Sequence, residues 1–264
     1  MKANDIITED GINKYLKNPH IIYVYDDITS TNDELKRLAG EGAKEGTVVV
    51  SDHQSSGKGR RGTSFFSPKY SGIYMSLLFR PDERKTTDII KLTSYAAVAV
   101  SRAISDVCDI ETGIKWVNDI YMGDKKICGI LAEAITDSPE TIGTVVVGIG
   151  INVYEPPDIP DDIKDIAGYI YPLNIRINDI RNRITASVID NLYSYYNSSD
   201  DHEIMDYYRA HSIVLGRRIA YGPNLEHTGL ARSIDDSGAL LVEGAPEGVV
   251  TLRTGEISLR ILQR

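Results

Sequence analysis

The 264-residue sequence predicts an α+β protein with a large N-terminal domain and a small C-terminal one. Two observations lead to this prediction. Apolar runs of strand length alternate with long helical segments as far as residue 214, and from Gly216 onward the pattern changes to short strands separated by turns. We therefore place the domains at residues 1–214 and 215–264, and we expect the second to form a small barrel.

The expected elements of the first domain follow in chain order. A strand at 21–25 precedes a helix that starts at Ser30, where Thr31 and Glu34 have the spacing of a capping box. Gly40 or Gly42 is expected to stop this helix, and Asn178 is expected to cap a later one. The other expected elements are strands at 47–51, 73–79 and 144–153, a hairpin at 113–133 that turns at 123–125, and helices at 87–107, 178–197 and 200–211.

The second domain is expected to contain five short strands. Turn signals at 235–238 and 244–248 separate its apolar runs. The expected strands are 218–221, 229–234, 239–242, 248–252 and 256–261.

The first half of the hairpin at 113–133 carries several polar residues. If 113–122 forms one regular strand, Lys115, Val117 and Asp119 share one face, and Trp116 and Asn118 share the other unless a bulge intervenes. A lysine and an aspartate on one strand face could simply pair with each other. Both a structural and a ligand-binding role remain open on this evidence.

Composition excludes several classes of protein. The formal net charge is -9 at pH 7, which argues against general nucleic-acid binding. No apolar run has the length of a membrane span, and the N-terminus lacks the apolar core of a signal peptide, so we expect a cytoplasmic protein. Cys108 and Cys128 support neither a disulfide framework nor a zinc site, and the five histidines show no ligand spacing.

The residues from Gln54 to Pro68 concentrate positive charge in this acidic chain. Glycines 57, 59 and 62 alternate with Lys58, Arg60 and Arg61. Glycines let the backbone approach a ligand closely, and adjacent cations repel each other unless an anion lies between them. We expect a phosphate or carboxylate site, while a solvated surface turn remains the alternative.

The same glycines satisfy the Gly-x-Gly-x-x-Gly fingerprint of dinucleotide sites. That fingerprint requires a helix after the last glycine, whereas residues 73–79 read as another strand. We therefore reject a Rossmann site. No Gly-x-x-x-x-Gly-Lys-Ser/Thr run occurs either, which removes the common P-loop.

Six motifs in order resemble those of biotin protein ligases, over nearly the whole chain from about residue 21. They are Ser30-Thr31-Asn32, Gln54 before Gly57-Lys-Gly-Arg-Arg-Gly62, Lys115-Trp-Val-Asn-Asp119, Lys126-Ile-Cys-Gly-Ile130, Gly148-Ile-Gly-Ile-Asn152 and Gly255-Glu-Ile-Ser-Leu-Arg260. The resemblance implies a catalytic domain related to class II aminoacyl-tRNA synthetases, followed by an SH3-like barrel. It also implies an enzyme that makes biotinyl-5'-AMP from biotin and MgATP and transfers biotin to a lysine of a biotin carboxyl carrier protein.

The resemblance assigns roles to residues at matching positions. It implies Lys126 and Arg60 as the catalytic cations, with Mg²⁺ ligands left unassigned. The implied biotin-binding residues are Ser30, Thr31, Asn32, Gln54, Gly57, Lys58, Gly59, Arg60, Lys126 and Gly129. The implied ATP-binding residues are Arg60, Arg61, Phe65, Lys115, Asn118, Asp119, Asn152 and Arg260.

The sequence departs from the family pattern at three positions of the glycine loop. Lys58 and Thr63 stand where arginine is common, and Phe65 stands at a frequent tryptophan. Lysine keeps the charge of arginine but loses its planar fork, and phenylalanine offers less area to adenine. We expect thinner triphosphate contacts but unchanged chemistry.

Many members of the family carry an N-terminal DNA-binding domain. Fewer than thirty residues precede Ser30, which is too few for a winged helix, so we expect no operator binding. Since no apolar run has the length of a membrane span, we also expect no membrane partner. A homodimer is left open. Two other functions also remain open: a lipoate-protein ligase with the same adenylate chemistry, and a non-catalytic regulator that binds biotin or adenylate without releasing pyrophosphate.

Overall fold

The computed structural model describes residues 5–81, 89–138, 141–245, 248–253 and 258–262. Its helices are α1 (Glu9–Asn13), α2 (Thr31–Gly40), α3 (Ile89–Cys108), α4 (Ile180–Tyr196) and α5 (His202–Ala210). Its strands are β1 (Ile21–Tyr25), β2 (Thr47–Ser51), β3 (Gly72–Phe79), β4 (Gly113–Lys115), β5 (Asp119–Met122), β6 (Lys125–Ser138), β7 (Thr141–Asn152), β8 (Arg218–Gly222), β9 (His227–Ile234), β10 (Leu240–Ala245), β11 (Gly248–Leu252) and β12 (Ser258–Ile261).

A mixed seven-stranded sheet forms the centre of the larger part of the molecule. Its order is β1-β2-β3-β7-β6-β5-β4. β1 and β2 are parallel, and every other neighbouring pair is antiparallel. The arrangement confirms the expected α+β class, with the helices packed on the two faces of the sheet.

Alternation along the strands divides the core between those two faces. Val48 and Val50 of β2 join the large cluster that includes the buried sides of α3 and α4. Val49 faces the other way and packs with Leu35 of α2 and Val146 of β7. Since side chains alternate along a strand, the glycines at 148 and 150 share the α2 face with Val146. This face carries the candidate site.

The second sheet is antiparallel and has the order β11-β10-β9-β8-β12. The five predicted strands of this region are therefore confirmed in number and order. The last strand begins at Ser258 in the described part of the chain, whereas the predicted start at Glu256 lies outside the described residues. The predicted helix start at Thr87 also lies outside them.

The expectation of one regular strand at 113–122 is wrong. β4 and β5 are two short antiparallel strands, and Lys115 lies opposite Asp119. The residues between them form the turn, so Val117 does not share a strand face with these two residues. The lysine and the aspartate are neighbours because they pair across two antiparallel strands, and not because they alternate along one strand. The turn at 123–124 between β5 and β6 is as predicted.

Two helix starts also differ from the prediction. Ser30 is the N-cap of α2 without a side-chain hydrogen bond, and Thr31 is already helical, so no capping box forms. The Glu34 carboxylate instead accepts hydrogen bonds from Tyr25 and Arg37. At α4 the N-cap is Asp179, one residue after the predicted Asn178.

Candidate active site

A cavity of about 400 Å³ opens on the α2 face of the large sheet. The start of α2, the glycine loop, β4 to β7 and the second sheet all contribute to its walls. Most of the predicted site residues line it: Ser30, Thr31, Asn32, Gln54, Lys58, Gly59, Arg60, Arg61, Phe65, Lys115, Asn118, Asp119, Lys126, Gly129 and Arg260. Residues far apart in the sequence therefore converge on one place.

Two predicted site residues do not line the cavity. The Asn152 amide donates a hydrogen bond to the Gly168 carbonyl oxygen at 3.1 Å, at the end of β7. Gly57 lies where a Cβ would be 2.4 Å from the Phe65 carbonyl oxygen, so it serves the closure of the glycine loop. Both residues therefore contact main-chain oxygens outside the cavity, and neither faces the space where a ligand would bind.

The three cations of the glycine loop do not surround a common point. Lys58 Nζ lies 2.6 Å from Asp33 Oδ1 on α2. Arg60 Nη1 donates to Asn118 Oδ1 at 2.6 Å, and Arg61 donates to Ser258 and to the Pro223 carbonyl oxygen of the second sheet. Each cation thus connects the loop to a different element, which offsets the repulsion that the sequence alone predicts.

Arg60 is the loop cation placed to bind an anion inside the cavity. Its Nη2 atom is buried and has no hydrogen-bond partner. Burial lowers the pKa of Arg60, against the opposing effect of Asp119. A buried guanidinium nitrogen without a partner is costly, and a ligand oxygen would supply the missing acceptor.

Lys126 and Asp119 form an ion pair within the cavity. Lys126 Nζ lies 2.7 Å from Asp119 Oδ1. The Lys126 side chain rests against Gly129, where an added Cβ would be 3.2 Å from Nζ. Phe65 covers Gly129 and Gly150, which are paired across β6 and β7, and a Cβ on Gly150 would be 2.5 Å from its ring. A side chain at position 150 would therefore displace the Phe65 ring, whereas the contacts at position 129 are tight without a clash.

Lys115 and Arg260 add positive charge near the same ion pair. Burial lowers the pKa of Lys115, and the nearby charges of Lys126 and Arg260 lower it further, while Asp119 opposes them. Among the described residues that line the cavity, Asp119 is the single acidic one. This end of the cavity therefore favours ligands that carry several negative charges.

The other end of the cavity is neutral and hydrogen-bonded. The Thr31 amide donates to Gln54 Oε1 at 2.9 Å, and Gln54 Nε2 donates to Ser67 Oγ at 3.0 Å. Asn32 packs against Gly148, where a Cβ would be 2.2 Å from Asn32 Oδ1. A cavity with one cationic end and one neutral polar end suits a long molecule with an anionic group at one end.

Trp116 connects the cavity wall to the second sheet, a role that the motif did not suggest. Its ring is buried, and Nε1 donates to the Gly238 carbonyl oxygen at 2.9 Å. The cavity is also lined by Leu225 of the β8–β9 turn and by Ser258, Leu259 and Arg260 of β12. The turn signal at Asp235–Gly238 could have indicated an exposed loop but not its contact with Trp116.

Within the described residues, no group of three or more histidine, cysteine, aspartate or glutamate side chains could hold a metal ion. The carboxylate and amide oxygens of Asp119 and Asn118 are ligand types that Mg²⁺ accepts, and both line the cavity. No helix in the described part of the chain is long and apolar enough to cross a membrane.

Comparison with known proteins agrees with this arrangement. Residues 24–152 match the model of the biotin/lipoate A/B protein ligase family. The bifunctional ligase/repressor BirA of Bacillus subtilis is 34% identical over 255 residues, which cover 94% of this chain and 77% of that protein. The biotin--[acetyl-CoA-carboxylase] ligase of Mycobacterium tuberculosis is 29% identical over 88% of this chain and 86% of its own.

A solved structure shows the same fold over almost its whole length. The biotin protein ligase of Aquifex aeolicus in complex with biotin and ATP has a TM-score of 0.75 and 26% identity, and the match covers 92% of this chain and 99% of that one. Family model, relatives and fold agree with one another and with the six motifs. The chain belongs to the biotin/lipoate A/B protein ligase family and, within it, to the biotin protein ligases.

Proposed function

We propose that this chain is an ATP-dependent biotin protein ligase, which forms biotinyl-5'-AMP and then transfers biotin to a lysine of a biotin carboxyl carrier protein. The main support is that four cationic side chains line one cavity whose other end is neutral: Arg60, Lys115, Lys126 and Arg260. Both reactants of the first step are anionic, so cations must offset their repulsion. The family and the structural relative with biotin and ATP support this function.

In the first step, an oxygen of the biotin carboxylate attacks the α-phosphorus of ATP, and pyrophosphate leaves. Lys126 would hold the carboxylate, and it must first exchange its partner Asp119 for the ligand. Arg60 would bind the α-phosphate through its buried Nη2. Cations that are held in place stabilise developing negative charge more strongly in a partly buried site than in open water, because less water screens them.

The biotin ring system would occupy the neutral end of the cavity. Ser30, Thr31, Asn32 and Gln54 line this end and offer both donors and acceptors to a ureido group. The glycines at 148 and 150 make room on the sheet face for the Asn32 amide and the Phe65 ring. The apolar chain of biotin would then run beside these two side chains toward Lys126.

The nucleotide would bind between the glycine loop, the β4–β5 turn and the second sheet. Lys115, Asn118, Asp119 and Arg260 would contact it, and Phe65 offers an aromatic face. Mg²⁺ usually keeps several waters and binds mainly to phosphate oxygens, so one carboxylate from the protein suffices. Asp119 would be that ligand, and the ion would offset phosphate charge when bound.

In the second step, the neutral amine of the carrier lysine attacks the carbonyl carbon of the adenylate, and AMP leaves. The relative from Mycobacterium tuberculosis is named for acetyl-CoA carboxylase, which supports a carboxylase carrier as the partner. We also assign residues 1–214 to a domain related to class II aminoacyl-tRNA synthetases and residues 215–264 to an SH3-like barrel. The two separate sheets support this division.

A transfer assay tests the proposal. The chain is incubated with biotin, MgATP and a purified biotin carrier domain, and the carrier is analysed by intact mass spectrometry. A mass increase of one biotin is expected, which is absent when the acceptor lysine of the carrier is replaced by arginine. Biotin binding without adenylate formation and without transfer would reject the ligase function and favour the non-catalytic regulator.

A further inference from the structure

Arg181, in the first turn of α4, is buried where the N-terminal segment meets the ends of β2 and β3. Its Nε donates to Asp5 Oδ2 at 3.2 Å, and its Nη2 donates to the Asp5 carbonyl oxygen. Its Nη1 donates to Asp52 Oδ1 at 2.5 Å and to the Gly72 carbonyl oxygen at 3.2 Å. These four residues do not line the cavity, so the proposed mechanism leaves this buried guanidinium without a role.

Asp52 and Gly72 lie at the two ends of the connection between β2 and β3, which carries the glycine loop. β2 ends at Ser51 and β3 begins at Gly72, so residues 53–71 leave the sheet after Asp52 and return to it at Gly72. One nitrogen atom of Arg181 therefore bonds to both ends of this connection. Holding the two ends at a fixed separation restricts the conformations that the chain between them can adopt.

Beyond these two ends, the outgoing and returning parts of the connection pair with each other. The Gln54 main-chain N–H donates to the Ser67 carbonyl oxygen at 3.3 Å. Further along, the Phe65 N–H donates to the Gly57 carbonyl oxygen at 2.8 Å. Arg60 lies at the tip, between Gly57 and Phe65 in the chain. A change in separation at the two ends would therefore be passed along these pairs to Arg60.

We infer that Arg181 is a positioning residue for adenylate formation, which holds both ends of the connection so that the glycine loop presents Arg60 to the ligand. This inference rests on the proposed function and adds to it. Arg181 contacts no ligand itself and acts through Asp52 and Gly72. A guanidinium suits this role because its five N–H donors point in different directions within one plane and can reach several acceptors at once.

The first test changes the hydrogen-bond acceptor at one end of the connection. Asp52→Ala removes the contact with Nη1, whereas Asp52→Asn keeps a carbonyl oxygen that can accept the same bond. A loop that adopts its binding conformation less often lowers the apparent affinity in proportion. We expect Asp52→Ala to raise KM for ATP and to accelerate escape of biotinyl-5'-AMP by about 5- to 30-fold, as for one lost hydrogen bond. Bound substrates restore the conformation, so kcat at saturation should change by less than about threefold.

The asparagine variant separates the hydrogen bond from the charge. Asp52→Asn should keep KM for ATP and adenylate escape within about threefold of wild type, because its oxygen still accepts from Nη1. An asparagine variant as impaired as Asp52→Ala would overturn the inference. Asp52→Ser replaces the alanine variant if the latter does not fold, since the serine hydroxyl is too short to reach Nη1.

Amide hydrogen exchange of the ligand-free protein measures the loop itself, independently of activity. The N–H groups of Gln54 and Phe65 donate across the connection, so their exchange reports its opening. In Asp52→Ala both should exchange about 5- to 30-fold faster than in wild type. An unchanged exchange rate in Asp52→Ala would overturn the inference, and so would an unchanged KM for ATP.

Tyr154→Phe is the matched control. The Tyr154 hydroxyl donates to Asp5 Oδ2 at 2.8 Å, so its removal weakens the same buried cluster but leaves the bonds from Arg181 to Asp52 and Gly72. Both variants should lower the midpoint of thermal unfolding. Tyr154→Phe should keep KM for ATP, adenylate escape and exchange of the connection within about twofold of wild type.

The control also separates the possible failures. Equal losses in Tyr154→Phe and Asp52→Ala would show that both act through overall stability and would overturn the role of Arg181. Wild-type protein that forms no biotinyl-5'-AMP would reject the proposed function itself. Adenylate formation by the wild type with normal retention in Asp52→Ala would reject only the role of Arg181.

Discussion

Lys126 Nζ lies 2.7 Å from Asp119 Oδ1, so the cation proposed to hold the biotin carboxylate is paired with an acidic residue of the same cavity. The two residues belong to neighbouring strands, β5 and β6. The ion pair holds the Lys126 side chain in place before the ligand binds. A ligand carboxylate then replaces one partner by another of the same charge, which limits the desolvation cost.

Lys126→Ala should abolish most adenylate formation while the protein remains folded. Removing one preorganised group that stabilises developing charge costs about 10²- to 10³-fold in rate. Biotin-dependent pyrophosphate release measures the effect. Lys125→Ala is the matched control, because the neighbouring lysine does not line the cavity and donates to main-chain oxygens of Lys164 and Asp165. Wild-type turnover in the Lys126 variant would move the catalytic assignment elsewhere.

Arg60→Ala should accelerate the escape of biotinyl-5'-AMP. The guanidinium links the glycine loop to Asn118 and offers a buried Nη2 to the ligand. A hydrogen bond to a charged group contributes about 1.5 to 3 kcal/mol, which corresponds to about 10- to 150-fold faster release. Trapping the released adenylate with free amine measures the rate. The exposed Arg232, which pairs with Glu243, supplies a control variant, and equal leakage from both would count against Arg60.

The dependence of activity on alkaline pH should report Lys115. Burial lowers the pKa of Lys115, so this amine loses its charge at a lower pH than a free lysine does. As pH rises through that lowered pKa, the attraction for the triphosphate is lost and kcat/KM for ATP should fall. Lys115→Arg keeps the charge, because arginine stays protonated, and should shift this decline to higher pH. An unchanged profile in the variant would assign the decline to another group.

Gly148→Ala should impair biotin binding more than folding. A Cβ at this position would lie 2.2 Å from Asn32 Oδ1 and would displace the amide from its hydrogen-bond partners Ser76 and Glu133. We expect KM for biotin to rise about 5- to 30-fold, since one or two hydrogen bonds of about 1 kcal/mol each are disturbed. Gly40→Ala is the control, because its Cβ meets nothing within 4 Å. Equal KM values for the two variants would contradict the close packing of Asn32.

Trp116→Phe should weaken the attachment of the second sheet. The substitution removes the 2.9 Å hydrogen bond to the Gly238 carbonyl oxygen and leaves that buried acceptor without its donor. The expected cost is about 1 to 3 kcal/mol in the free energy of unfolding. Urea denaturation followed by circular dichroism measures it. A midpoint equal to that of wild type would show that Trp116 does not contribute to this attachment.

The order of the strands along the chain was predictable because apolar runs and turn residues are visible within a few residues of the sequence. The strands at 21–25, 47–51 and 73–79 and all five strands of the second sheet were confirmed within a few residues. The turn between Lys115 and Asp119 was missed, because periodicity cannot detect a strand that reverses after three residues. The capping box was wrong because Thr31 bonds to Gln54 instead of to the start of its own helix.

Most of the predicted site residues line one cavity, while their binding roles stay a prediction and their contacts could not be predicted. Fifteen of the predicted residues line one cavity, whereas Gly57 and Asn152 contact main-chain oxygens outside it. Ser76 and Glu133 were missed, because a polar residue in an apolar strand gives no sign of its partner. The separate partners of Lys58, Arg60 and Arg61 depend on tertiary neighbours that the local sequence does not encode.

The central claim is that this cavity activates biotin with ATP, and biotin-dependent exchange of labelled pyrophosphate into ATP tests it most directly. Biotin and lipoate are assayed in parallel, with and without MgATP. Exchange with biotin and none with lipoate is the predicted result. Exchange with lipoate alone, or tight biotin binding without any exchange, would contradict the account.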